Sequence, residues 1–517
     1  MPIRVGMVSL GCSKNLVDSE RMLAKLRAHG YQLVTEPGEA EIAIVNTCGF
    51  IQSAKEEAIE TILELGALKK DGTLKKIILT GCLTERYKEE AAELFTEADA
   101  VIGIGDNRDI VDILDHVLAG ERVVRFGKKS DAEMKGDRII TTLPFFAYLK
   151  IAEGCSNNCT YCAIPAIRGP YRSVPMEDVL EEAHWLAEHH VTELVVIAQD
   201  TTRYGCDLYG KSRLPELLRE LCHIDGIRWV RVLYCYPERI TDELLDVLAE
   251  EPHMVPYLDL PIQHCDGEIL RRMHRPGNEE TLRKTIAHIR ERVPDITLRT
   301  TLITGFPGET KEQFNRLGDF VQDMQFDHLG CFAYSEEEGT KAAEFEDQID
   351  EDVRAHRADI IMEQQAEVSA AKNAAKLGKR MTAVTLEQVL TRGKRLKQIE
   401  AADRAAGALA YAVLVHRDEH DRTAVAVAQA RAHNADNALM PAFSGQHDNF
   451  ILKRVVFAAQ ACERLLEYLI LLVLAQLVLL AKLGGKRLCA YRIFRQEQLC
   501  CQFGLAHAAR RVDARRK

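Results

Sequence analysis

The chain is 517 residues long, too long for one hydrophobic core and long enough for about three domains. Its 67 basic and 78 acidic side chains give a net charge of −11, unevenly spread: residues 391–517 hold 21 basic and 11 acidic, leaving 46 against 67 in the first 390. An acidic body of this kind is a poor general nucleic-acid surface and a better match to a basic protein partner.

The opening MPIRVGMVSLG has no apolar stretch long enough for a secretory signal, which predicts a cytoplasmic protein without a membrane anchor. Fifteen cysteines in such a chain point to reduced thiols and metal ligation rather than disulfides.

Apolar β-rich runs at 3–10, 41–46, 76–80 and 100–104 alternate with helical patterns at 16–28, 53–68 and 85–95. That alternation predicts an open parallel α/β sheet covered by helices. Three of the strands end alike: SLGC at Cys12, VNTC at Cys48 and LTGC at Cys82. Ligands of open α/β sheets collect at the carboxyl ends of strands, so three cysteines far apart in sequence can bind one object. Any one of them alone reads as a small buried residue. Three in the same topological place, two preceded by a glycine that lets backbone approach closely, predict an iron–sulfur cluster.

Residues 127–142 are polar and lack apolar periodicity, which predicts a linker between a first domain over 1–126 and a second over 143–345. A strand pattern at 145–151 then leads into EGCSNNCTYCAIP at 153–165. Cys155, Cys159 and Cys162 stand in a CxxxCxxC pattern, with Tyr161 before the last. Zinc sites want four ligands in paired steps, whereas a cubane cluster can be held by three close thiolates, leaving one iron free for chemistry. A zinc knuckle or three incidental cysteines is the bland alternative.

Further strand patterns at 193–198, 228–233, 257–261, 297–303 and 328–334 alternate with helical ones at 176–189, 214–222, 242–250, 279–292 and 311–324. Repeated β–α units predict a barrel or partial barrel. IAQDTTRYG at 197–205 and LITGFPGET at 302–310 break from strand into glycine and polar residues, as suits a wall touching a small polar ligand, although GFPGET read alone is equally a turn with a helix cap. His264 reads as a hydrogen-bonded core or rim side chain. Cys206, Cys222, Cys235, Cys265 and Cys331 have no grouped spacing and read as packing residues.

A charged, alanine-rich helix is predicted over 351–377, within a bracing segment at 346–384. Residues 385–517 change character: Ala-rich text, a polar stretch at 433–449, and an apolar run at 468–481 too short to span a bilayer. Cys462, Cys489, Cys500 and Cys501 form no metal pattern. The abrupt change favours a shifted reading frame near residue 385 over a divergent extra domain.

The loop at Cys155, Cys159 and Cys162, with its aromatic, resembles the cluster loop of radical S-adenosylmethionine (SAM) enzymes. GCSKNLVDSERM at 11–22, VNTCGFIQSAKEEA at 45–58 and LTGCLTERY at 79–87, followed by that loop, resemble the radical-SAM methylthiotransferase family over about three quarters of the chain. RGPYRS, LYCYPERI, LDLPIQH and FAYSEEEGT also resemble family segments.

The resemblance implies two 4Fe-4S clusters, one on Cys12, Cys48 and Cys82 and one on Cys155, Cys159 and Cys162. It also implies a partial (β/α)6 barrel, SAM contacts at Tyr161, Gln199, Asp200, Gly305 and Glu309, and a carboxyl-terminal TRAM β-barrel that is not legible here. SAM cleaved at the open iron would yield a 5′-deoxyadenosyl radical able to take hydrogen from a carbon that no acid or base could deprotonate easily. The auxiliary cluster would deliver sulfur and a second SAM the methyl group.

SLGCSKNLVDSE and AQDTTRYG resemble the RimO type, which modifies an aspartate β-carbon of ribosomal protein S12. The transfer-RNA branch, the MiaB type, typically shows GCQMN-like and GQN-like text there. The implied partners are that basic ribosomal protein, an electron donor such as flavodoxin or ferredoxin, and a sulfur source. The rivals are the MiaB type acting on tRNA and a non-catalytic iron–sulfur sensor or scaffold.

Overall fold

The computed structural model describes residues 2–376 apart from residue 36. It begins with β1 (Arg4–Ser9), α1 (Ser13–Ala28), β2 (Gln32–Val34), β3 (Ile42–Thr47) and α2 (Gln52–Lys70). β4 (Lys76–Gly81), α3 (Cys82–Leu94), β5 (Ala100–Ile102), α4 (Ile110–Leu118) and β6 (Val123–Arg125) follow. The strands lie in the order β2-β1-β3-β4-β5-β6, all parallel.

Successive side chains of β3 point to opposite faces. Ile42 and Ile44 pack with Ile78, Met22, Leu26, Ile113 and Val117 under α1 and α4. Ala43 and Val45 pack with Ile77, Leu79, Ile62 and Leu65 under α2 and α3. With both faces covered, all six residues of β3 are buried, and its sequence is a continuous run rather than an alternating one.

Residues 127–142 hold no strand, only a single turn at Lys129–Asp131. They are nonetheless pinned down. Arg138, 3% exposed, bonds Glu20 at 2.5 Å and Glu182 at 2.5 Å, and the Thr141 N–H donates to Glu20 at 2.6 Å.

The chain continues through β7 (Phe146–Lys150), β8 (Ala152–Glu153), α5 (Ile164–Arg168), β9 (Arg172–Ser173), α6 (Met176–Glu188) and β10 (Glu193–Ile197). Next come α7 (Cys206–Tyr209), α8 (Leu214–Cys222), β11 (Trp229–Val232), α9 (Asp242–Glu250), β12 (Tyr257–Gln263), α10 (Gly267–Arg272) and α11 (Glu279–Arg292). β13 (Thr297–Thr304), α12 (Lys311–Met324), β14 (His328–Ala333) and α13 (Glu351–Ala374) complete the described residues.

β7, β10 and β11 form one parallel sheet, and β12, β13 and β14 another. The Cys235 N–H donates to the Asp259 carbonyl at 2.9 Å and joins them. Six parallel strands, each followed by helix, thus make the expected six-unit partial barrel. Their outward residues, among them Leu149, Val196, Val232 and Leu258, pack under Leu217, Leu245, Ile286 and Phe320. On the inner side Val195, Ile197, Leu233 and Tyr257 gather around Val17 of α1. The helix that leaves Cys12 therefore packs against the inner side of the barrel.

Among the described residues no helix is long and apolar enough to cross a membrane. The TRAM question, the apolar run at 468–481 and the four late cysteines fall outside the described residues.

Candidate functional site

Cys12, Cys48 and Cys82 follow β1, β3 and β4, three neighbouring parallel strands with Ser9 opposite Asn46 and Thr47 opposite Gly81. Neighbouring strands lie about 4.8 Å apart. The three ends interlock tightly. A Cβ on Gly11 (φ +82°) would fall 2.7 Å from Sγ of Cys48, and one on Gly49 would fall 2.6 Å from Cα of Leu83. One on Gly81 (φ +106°) would fall 2.4 Å from the carbonyl oxygen of Thr47. Glycine is required at these positions because no side chain fits.

Burial pushes the Cys48 thiol up to about 11 and the Cys82 thiol up to about 12, and the neighbouring Cys12 adds to both, while Arg168 pulls the other way. Buried thiols need a bound cation to become thiolates. A thiol-only donor set in a narrow crevice fits an iron–sulfur cluster. Among the described residues no three His, Cys, Asp or Glu side chains converge as a single metal ion would require. A cubane does not ask for that, since each thiolate binds its own iron.

The second trio lies on the loop after β8. Gly154 enters it at φ +71°, where a Cβ would sit 2.3 Å from the Pro170 carbonyl oxygen. Asn158 takes the left-handed conformation at φ 52°, tolerable for asparagine. The loop is fastened on every side. The Cys155 N–H donates to the Gly169 carbonyl at 3.1 Å, the Thr160 N–H to Met273 at 3.2 Å, and the Asn157 amide to Asp200 at 2.8 Å. Burial raises the thiols of Cys155 and Cys162, and Cys159 adds to both.

Of the anticipated SAM contacts, Tyr161 packs with Ile269, Met273, Phe306 and Tyr334, which brings the cysteine loop against the GFPGET turn. Gln199 is partly exposed at the end of β10. Asp200 is fully buried and is held by Asn157, Thr202 and Arg239. Gly305 (φ +69°) donates its N–H to Glu309 at 2.7 Å, and Arg357 pairs with Glu309 at 2.8 Å. The turn chemistry is present too: Thr310 and Gln313 form a capping box on α12.

His264 is fully buried, its Nδ1 accepting from the Asp266 N–H at 2.9 Å and its Nε2 3.7 Å from Glu309. Burial lowers it to about 4, so it is neutral. Cys222, Cys235 and Cys265 are buried as expected, but Cys206 is exposed at the start of α7, so packing does not explain it.

Sequence reasoning missed the charges between the trios. Arg168 of α5 pairs with Glu153 at 2.9 Å and Asp18 at 3.2 Å, and also bonds Asn15. Lys150 pairs with Glu153 at 2.8 Å and with Asp18. Burial alone would raise Glu153; Arg168 and Lys150 hold it well below the usual carboxylate range. Asn15 and Asp18 come from α1 just after Cys12, whereas Lys150, Glu153 and Arg168 flank the barrel loop, so this network ties the two cysteine trios together. Asn15, in turn, accepts from Sγ of Cys82 at 3.6 Å. The motifs holding these residues, SKNLVDSE and RGPYRS, were visible in the sequence; the pairing between them was not.

Residues 4–103 match the uncharacterized protein family UPF0004, and residues 149–321 match the Radical SAM superfamily. The ribosomal protein uS12 methylthiotransferase RimO of Lachnoclostridium phytofermentans is 51% identical over 73% of this chain and 86% of its own length. Its counterpart in Clostridioides difficile is 49% identical over 75% of this chain and 87% of its own. Among solved structures, the radical S-adenosylmethionine methyltransferase TsrM from Kitasatospora setae, with cobalamin and a [4Fe-4S] cluster bound, is 15% identical over 65% of this chain and 77% of its own, with a TM-score of 0.48. On the strength of its relatives the chain belongs to the RimO family of radical-SAM methylthiotransferases.

Proposed function

We propose that this enzyme adds a methylthio group to the β-carbon of an aspartate of ribosomal protein uS12. The observation that carries the reading is the Arg168 network, which joins α1 beside Cys12 to the loop of Cys155. Two thiol-only trios fastened to each other suit a reaction that needs hydrogen removal and sulfur delivery at one carbon.

Cys155, Cys159 and Cys162 would hold one 4Fe-4S cluster, and Cys12, Cys48 and Cys82 the other. When bound, these groups supply the electron that cleaves SAM and the sulfur that enters the substrate. Tyr161, Gln199, Asp200, Gly305 and Glu309 would line the SAM site. Asp200 orients the cysteine loop through Asn157, and Glu309 fixes the Gly305 turn through its N–H. The half-buried ring of Tyr161 and the buried ring of Tyr236 cover the loop against water, which limits side reactions. Neutral His264 orients Asp266 and takes no proton from the substrate.

The basic ribosomal protein suits the acidic body of this chain. A flavodoxin or ferredoxin would supply electrons, and a separate sulfur source would replenish the auxiliary site, all in the cytoplasm. Anaerobic reconstitution with iron, sulfide, SAM and dithionite tests the enzyme reading. Release of 5′-deoxyadenosine that disappears in Cys159→Ala supports it. A fully clustered protein that releases none is a scaffold or sensor instead.

A further inference from the structure

Buried cations in this protein come with carboxylates. Arg168 and Lys150 share Asp18 and Glu153, and Arg138 has Glu20 and Glu182. Lys14 differs. It is 4% exposed, and among the described residues its ammonium makes no hydrogen bond and no ion pair. It rests 3.3 Å from the centroid of the Tyr234 ring. A ring face offsets only part of what an ammonium loses on leaving water, and among the described residues no carboxylate pairs with it directly.

Of the negative groups that face it, Cys12 comes first, and the two carboxylates, Asp259 and Glu153, are already engaged. Asp259 takes Arg299 at 2.9 Å and the Tyr234 N–H at 3.1 Å, and Glu153 takes Arg168 and Lys150. Tyr234 is itself held in an unusual state. It is a non-glycine residue at φ +61°, a conformation that persists only where the surroundings enforce it.

The position of Lys14 is also informative. It lies two residues after Cys12, at the start of α1. Tyr234 follows β11, and Tyr236, two residues further on, has its hydroxyl raised first by burial and then by the thiols of Cys159 and Cys155. Two residues of extended chain span about 7 Å. Lys14 thus follows a cysteine of the first trio, and its ammonium rests on a ring whose near chain neighbour, Tyr236, faces the second.

We propose that Lys14 is the residue that recognises the substrate aspartate: its ammonium receives the side-chain carboxylate over the Tyr234 ring and so fixes the adjacent β-carbon. The assignment rests on the aspartate reading above. Asparagine in the same place would present a neutral amide and lose the charge-assisted bond.

Binding of purified uS12, and of uS12 with the target aspartate replaced by asparagine, to the cluster-loaded full chain under anaerobic conditions tests this. The wild-type chain should favour the aspartate protein by about tenfold or more, as a charge-assisted pair requires. Lys14→Met, close in length and uncharged, should bind both alike at equal iron content, and Lys14→Arg should recover part of the preference. A wild-type chain that binds both uS12 proteins equally overturns the assignment without recourse to any variant. A Lys14→Met chain that keeps the full preference overturns it as well. A wild-type chain that binds neither overturns the uS12 reading itself, and this assignment with it.

Discussion

One guanidinium nitrogen of Arg168 lies 2.9 and 3.0 Å from the two carboxylate oxygens of Glu153, with both side chains almost wholly excluded from water. The same nitrogen reaches Asp18 at 3.2 Å, on the helix that leaves Cys12. With Lys150 the group holds two positive and two negative charges, and it balances only while all four are present.

Arg168→Ala leaves Asp18 and Glu153 sharing Lys150 alone. Breaking a buried pair in this way costs about 3–5 kcal/mol. Chemical denaturation should show a loss of that order, and replacing Arg168 and Glu153 together by methionine and glutamine should cost less than Arg168→Ala alone. Equal losses in the two proteins would mean that the charges are not coupled.

His264 gives the acid limb of stability a specific slope. Burial holds it near 4 in the folded chain, against about 6.5 when exposed. The unfolded chain therefore binds the extra proton between those values, and stability falls as pH drops from about 6.5 towards 4. Between about pH 7 and pH 5 this group alone should remove about 2 kcal/mol. Denaturation of iron-free His264→Gln should show that much less pH dependence than wild type over the same range; identical slopes would rule the histidine out.

Glycine contacts separate the two trios experimentally. Gly11→Ala would place a methyl 2.7 Å from Sγ of Cys48, while Gly154→Ala would place one 2.3 Å from the Pro170 carbonyl oxygen. Each should lose about half the iron of the loaded protein, one cluster of two. Gly11→Ala should keep 5′-deoxyadenosine release and Gly154→Ala should lose it. Full iron loading in either protein would show that the strand ends tolerate more than their spacing suggests.

Much of this was legible in the sequence because local signals agreed with the fold. The six-strand order of the barrel followed from regular β–α spacing, and α8, α9, α11 and α12 begin and end at the residues their periodicity indicates. Both cysteine trios stood out, one by close spacing and one by its recurrence at strand ends. What escaped was of two kinds. β2 and β6, three residues each at the sheet edges, are too short to show a period. The buried charges join residues 150 positions apart, such as Asp18 and Arg168, and no local pattern announces a partner at that distance. Arg138 was hidden for the same reason, inside a stretch whose polarity read as a simple linker.

Mass spectrometry of uS12 from a strain lacking this gene, complemented with the full chain, tests the central claim most directly. The account predicts a methylthio group on one aspartate with the intact chain and none with Cys48→Ala or Cys159→Ala. An unmodified aspartate with the intact chain, or modification that survives the loss of either cysteine, would contradict it.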